Sequence, residues 1–460
     1  MARRVSGEES KYHPSVPLPP LPRIAMAAGA AVVLAGCTSA SLPARPQGPP
    51  VSPPGGLLEL TVRTPMIKHW GSFFGGAPGN RGTRLSPVPL TLPGKVVAVG
   101  SSNSTQYALL ANGRLYAWGL GTRGQLGDGR LHDSFRTPVR VRFPAGVKIA
   151  WLPDDAMPYD SGLAVDTHGR VWGWGQNSGG EFCLGNTKSY ATPVRLPFRH
   201  VTAVAGASNH AIYDANGTVW ACGQNVAGDL GTGRQAGTTR PERVAGLAGA
   251  HVIRLVASFA NSGALLSDGE YFNWGYNADG QLGSGHEGRA SGVPVRVRLP
   301  HPVTFVAQGG SLWHNGQTLV ILTDGSLWSW GDNQAGALGT GTTQSQATPV
   351  QFRSPHGVRY VRLATGSKTS YAISSAGRVY AWGVSHVGQV GNGHPRTTLN
   401  PVIIARRATS ISSTANNVVI SLGARPTRHP AHHRKTHCTR SRHRKQTTHK
   451  GPATCGRTDK

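Results

Sequence analysis

The sequence predicts an all-β protein: a seven-bladed β-propeller closed by pairing of N- and C-terminal half-blades, followed by a disordered basic C-terminal tail. Three observations predict it. The 460 residues include 62 Gly and 33 Pro, a density that breaks most long helices, and no Gly-X-Y period runs through them. A Trp-Gly unit recurs at intervals of 48 to 56 residues, the signature of a repeat architecture. An incomplete unit stands at each end of the repeated region.

Taken in order, residues 1–37 read as an address. Residues 24–36 form an uncharged apolar run after Arg23, shorter than the roughly 20 residues of a membrane span and suited to the core of a signal peptide. The run ends in Leu34-Ala35-Gly36-Cys37, which resembles the lipobox of bacterial lipoproteins. That resemblance makes Cys37 the lipidated residue and implies a membrane-anchored lipoprotein on the extracytoplasmic face, or a secreted protein. Residues 38–56 are rich in Pro and read as an extended spacer.

Residues 57–423 carry the repeat. Its core step is Trp118-Gly119, Trp174-Gly175, Trp274-Gly275, Trp330-Gly331 and Trp382-Gly383, with Cys222-Gly223 and a degenerate copy at Trp70 in the same series. Before each full copy stands a turn: Asn112-Gly113, His168-Gly169, Asn216-Gly217, Asp268-Gly269, Asp324-Gly325 and Ala376-Gly377. Such pairs suit two-residue hairpin turns with positive φ. Segments such as Ser326-Leu327-Trp328-Ser329-Trp330 then alternate in polarity, as half-buried strands do. A four-stranded unit of this size cannot bury both faces alone, so copies must stack, and closing the stack into a ring protects the edge strands. Counting the two incomplete ends as one blade gives seven.

These co-aligned copies resemble the repeat of the regulator of chromosome condensation family, whose members form seven-bladed propellers. The eukaryotic founder exchanges nucleotide on a small GTPase, but no exchange residue maps onto this sequence. Secreted bacterial propellers of this kind include an inhibitor of β-lactamase. The resemblance therefore implies a non-catalytic binding scaffold, with inhibition of an envelope enzyme as an alternative.

Binding specificity is expected where the repeat is interrupted. Two blades carry extra residues between the strand-opening Val and the hairpin Gly, after Val147 and Val303. They supply Trp151, Asp154, Asp155 and Tyr159 in one loop, and Trp313 and His314 in the other. Equivalent positions put both loops on one face, where aromatic side chains would anchor a protein partner. No enzyme, cofactor or metal site is assigned. The Gly119-Leu120-Gly121-Thr122-Arg123-Gly124 match to a dinucleotide loop sits in a repeat turn rather than opening a helix.

The formal net charge is +27. Residues 424–460 hold eleven basic residues and one acid, Asp459, with too few apolar residues to build a core. Arg434, Lys435, Arg442, Arg444 and Lys445 are expected to attract an anionic polymer or nucleic acid in a salt-dependent way. The tail histidines and Cys438 match no zinc-finger spacing. Cys183 reads as part of a one-residue expansion of a repeat turn, Cys222 as a buried thiol in place of a Trp. A monomer is expected.

Overall fold

A computed structural model describes residues 67–73, 83–153, 157–310, 316–352, 354–355 and 357–423. These residues form 28 strands in seven four-stranded antiparallel sheets, with no helix among them. Blade 1 comprises Val96–Ser101, Thr105–Leu110, Leu115–Gly119 and Ser134–Arg140. Blades 2 to 6 repeat this order, beginning at Ile149, Val201, Val252, Val303 and Tyr360.

Blade 7 is assembled from both chain ends. Ala408–Thr414 and Asn417–Leu422 supply its first two strands, and Ile67–Gly71 and Arg84–Leu90 its outer two. The closing register pairs Ile67 with Ser421 and Gly71 with Asn417. The predicted ring closure is thus the observed one, and every described strand lies between Ile67 and Leu422.

From blade 3 round to blade 1, first strands of successive blades lie against one another around the axis. Second strands, such as Thr105–Leu110, are wholly buried, whereas outer strands are half-exposed. This gradient follows from stacking: the inner strands are covered by both neighbouring blades, and the outer ones form the rim.

Because strands alternate in direction, the two ends of the ring differ. One end carries the connections between first and second strands together with the loops that follow each Trp-Gly step; we call it the loop face. The other carries the hairpins between second and third strands, the linkers from one blade to the next, and both points where the described propeller chain begins and ends. It is the hairpin face.

The hairpins correct one expectation. Only Asn216 and Gly217 both have positive φ, 53° and 69°, in a two-residue turn closed by the Ala215–Thr218 pair. In the other five only the Gly does. Blade 1 illustrates them, with Gly113 N–H donating to the Leu110 carbonyl and Leu110 N–H to that of Arg114. These are three-residue turns ending in a left-handed Gly, one residue longer than the dipeptide suggests.

The Trp-Gly step wires each blade to its own inner loop. Gly275 has φ 107°, and a Cβ there would lie 2.2 Å from the Ala260 carbonyl oxygen. That same carbonyl accepts the Tyr276 N–H at 2.9 Å. The arrangement recurs in all seven blades, from Gly71 against Asn416 to Gly383 against Lys368. The Trp itself is a wedge between blades. Trp274 is fully buried and donates from Nε1 to the Asp229 carbonyl of blade 3 at 2.9 Å, while Gly231 leaves room for the ring. Trp174, Trp330, Trp382 and Trp70 repeat this contact.

The interface of blades 2 and 3 departs from the pattern. Cys222 replaces the Trp, and it is disulfide-bonded to Cys183 rather than being a free thiol. Cys183 lies in no expansion either. Gly180-Glu181-Phe182-Cys183 superposes on Gly124-Gln125-Leu126-Gly127 of blade 1, and Cys183 N–H donates to Gly180 O as Gly127 N–H does to Gly124 O. Cys183 therefore takes the position of the Gly that elsewhere receives the Trp ring, and adopts its positive φ of 58°. A small–large pair has become a bonded pair of intermediate size. The indole hydrogen bond is lost, but the Tyr bond that accompanies it elsewhere, as Tyr107 to the Gln125 carbonyl, is kept: Tyr213 Oη donates to the Glu181 carbonyl at 2.7 Å.

Candidate functional site

The loop face closes over the channel. Met157 N–H reaches the Ser101 carbonyl at 3.2 Å and Tyr159 N–H that of Ser208 at 2.7 Å. Phe259 N–H binds Gly310, Gly310 N–H binds Gly366, and Ser367 N–H binds Ala415. Asn417 Nδ2 donates to the Asn103 carbonyl at 2.8 Å, and His210 Nε2 meets Ser262 Oγ at 3.1 Å. Every pair of neighbouring blades is tied, so these loops form a continuous rigid belt. Within it lies a cavity of about 30 Å³, lined among others by Met157, Tyr159, Phe259, Gln308 and Thr365.

Both interrupted blades carry their extra residues on this face. Residues 152–160 connect the first two strands of blade 2, and residues 310–316 those of blade 5. Asp154, Asp155, Trp313 and His314 lie outside the described residues, as do Cys37 and the tail residues Arg434, Lys435, Arg442, Arg444 and Lys445. Tyr159 lines the cavity and is half-exposed.

Trp151 does not stand in the loop. It ends the strand Ile149–Trp151 and packs half-buried against the core between blades 2 and 3. The apolar residues that follow it turn inward: Leu152 and Met157 are buried with Tyr107, Leu109 and Trp174. Gly100 and Gly206 of the flanking blades make this possible, because a Cβ would sit 2.7 Å from Met157 Cε and 2.6 Å from Pro158 Cγ respectively. Among the described residues of the insertion, Leu152 and Met157 thus act as a wedge, and Met157 and Tyr159 line the cavity. Asp160 is engaged by Ser104 and, at 2.8 Å, by Arg123. Among the described residues no group of three or more acidic, His or Cys side chains could hold a metal ion.

Two features of this face were not read from the sequence. Leu131 and Val226 are 67% and 45% exposed in the loops after the Trp-Gly steps, adding apolar surface around the belt. Beneath it, Ser262, His210 and Asp229 stand in the order of a catalytic triad, with His210 Nδ1 3.2 Å from Asp229 Oδ2. All three are at most 1% exposed. The Ser262 hydroxyl donates to the Asp229 carbonyl at 2.8 Å, and burial holds the His210 pKa down against the pull of Asp229. The trio fastens blade 3 to blade 4.

Glu181, next to the disulfide, replaces the Gln seen in blades 1, 4 and 6 and keeps its role, accepting the Gly179 N–H at 2.9 Å. Burial pushes its carboxyl up to about 7.

Comparisons agree with this architecture. The profile of the regulator of chromosome condensation (RCC1) repeat matches residues 112–151, 168–213, 268–312 and 324–373. Each match starts at or beside a hairpin and so straddles two blades. The ultraviolet-B receptor UVR8 of Arabidopsis thaliana is 27% identical over 354 residues, covering 74% of this chain and 77% of the receptor. The human E3 ubiquitin-protein ligase HERC2 is 30% identical over 290 residues, 61% of this chain, which spans 6% of the ligase. Among solved structures, human WBSCR16 superposes with a TM-score of 0.67 at 20% identity, covering 78% of this chain and all of its own (100%). Prp20p of Saccharomyces cerevisiae, described with its binding to Gsp1p and histones, gives 0.66 at 23% identity over 79% of this chain and 93% of its own. Four repeat matches on a closed seven-bladed ring place this chain in the regulator of chromosome condensation repeat family.

Proposed function

We propose that the protein is an exported, lipid-anchored and non-catalytic scaffold that captures a protein partner on its loop face. The observation that carries this reading is the convergence of both interrupted connections, 152–160 and 310–316, on the belted face. A rigid belt lowers the ordering cost of binding, and an aromatic at its centre with Leu131 and Val226 around it has the composition of an interface core. The described Ser262–His210–Asp229 trio is sealed from substrate. Two observations support export: the Leu34-Ala35-Gly36-Cys37 sequence, and the Cys183–Cys222 bond, a linkage that persists mainly in oxidising compartments. Cys37 is the acylated residue in this reading.

The test uses residues 38–460, which retain every described strand, immobilised and exposed to cell-envelope extract at high salt. A discrete protein is expected to be held by the wild type and reduced at least tenfold by Tyr159→Ala combined with Trp313→Ala. Capture unchanged by this pair of substitutions would refute the loop-face reading.

A further inference from the structure

The hairpin face has a different chemistry, and its charge is not evenly spread. None of the seven linkers that leave the outer strands contains an acid, and six contain Arg or Lys. Around blades 6, 7, 1 and 2 the exposed cations Arg378, Arg406, Lys95, Arg114, Lys148 and Arg199 form an unbroken arc. The one acid of the hairpins in that arc is Asp166, which is buried and held by Arg170 at 2.6 Å and by Trp172 Nε1 at 2.9 Å. On the far side, blades 4 and 5 carry Asp268, Glu270 and Asp324 in their hairpins, which offset the exposed Arg298 and Arg359 of their linkers, and Glu270 is paired with Arg296 at 2.6 Å.

Two further observations fall on the same side, and a third falls there in part. The hairpin and linker of blade 1 enclose a cleft of about 320 Å³, lined by Arg114, Arg140 and Lys148 and by no acid. Val97 and Val361, 49% and 44% exposed, occupy the second position of the innermost strands of blades 1 and 6, at bulges in the ladder; Ile253, 55% exposed, holds the same position in blade 4. The described propeller chain begins and ends at Ile67 and Leu422 in blade 7, in the middle of the arc.

From these we infer that the hairpin face, over blades 6, 7, 1 and 2, docks on an anionic lipid bilayer. Cations at a negatively charged surface and apolar side chains at the headgroup boundary act together. A duplex would be met by charge alone and would gain nothing from Val97 and Val361. The mixed charge of blades 4 and 5 is drawn to the surface less strongly than the arc, and the loop face is left pointing outward. This inference rests on the proposed reading only in giving the loop face to a partner. Vesicle binding is measured without any partner, so the two fail separately.

The experiment is cosedimentation of residues 38–460 with vesicles of phosphatidylcholine and phosphatidylglycerol, against pure phosphatidylcholine. Two variants of equal charge change are compared: Arg114→Glu/Lys148→Glu/Arg378→Glu on the hairpin face, and Arg130→Glu/Lys188→Glu/Arg289→Glu on the loop face. The expected result is binding to the anionic vesicles only, reduced at least tenfold by the first variant and less than twofold by the second. The single changes Arg114→Glu and Lys148→Glu repeat the test should the triple variant melt early. Equal loss in both variants would assign binding to net charge or to the tail and overturn the inference. So would absence of vesicle binding, or retention of vesicle binding when the hairpin-face variant loses a 30-mer DNA duplex included as a competitor arm.

Discussion

The two faces of this propeller are built from the same seven units but solve different problems. On the loop face, connections lock to one another, acids and bases mix, as Asp128, Asp133 and Glu287 do with Arg130, Lys188 and Arg289, and the interruptions of the repeat converge. On the hairpin face, turns are short, linkers carry no acid, and the chain enters and leaves. Changes to the loop face should therefore cost stability as well as binding, whereas charge changes on the hairpin face should cost binding alone.

The largest effect is expected from Gly275→Ala, which puts a methyl 2.2 Å from the Ala260 carbonyl at a positive φ and breaks one segment of the belt. Chemical denaturation should show a loss of about 4 kcal/mol or more, or no cooperative fold. Cys183→Ser severs the staple between blades 2 and 3, for about 2–4 kcal/mol; an unchanged midpoint would show that the packing there is sufficient by itself. Met157→Ala empties the wedge under the loop face and should cost about 2 kcal/mol or slightly more, with thermal melting as the readout.

Glu181→Gln works in the opposite direction. A carboxyl raised from 4.5 to about 7 in the folded chain keeps a proton that the unfolded chain releases. Stability contributed by the protonated form is therefore full below pH 4.5 and lost as pH rises through 7. The Gln variant should be more stable than the wild type at pH 8 by about 1–2 kcal/mol, with the gap closing toward pH 4.5. Smallest is Arg114→Glu, an exposed hairpin-face change that should move stability by no more than about 0.5 kcal/mol while still weakening vesicle binding.

Much of the fold was legible because the Trp-Gly step is local: a hairpin, an alternating strand and a Gly against a carbonyl all lie within a few residues. The closure of blade 7 followed from two incomplete copies. Harder features depend on contacts between blades. Cys183 and Cys222 were read separately, although each replaces one member of the same Gly–Trp contact; a register of the copies without an inserted residue would have paired them. The insertion in blade 2 was read as exposed because it interrupts a repeat, yet Leu152 and Met157 are the apolar residues expected of a buried wedge. Gly100 and Gly206, which admit it, sit in other blades. The charge arc was hidden for a related reason. Total charge is a property of composition, whereas its placement emerges only when linkers and loops are sorted to opposite faces.

Amide exchange on residues 38–460 bound to anionic vesicles tests the division of labour most directly. Protection is predicted for the hairpins at residues 111–114 and 375–378 and for the linker at 141–148, with residues 258–260 and 366–368 of the belt exchanging as in the free protein. Protection of the belt with unchanged exchange at the hairpins would contradict it, and would turn the molecule over.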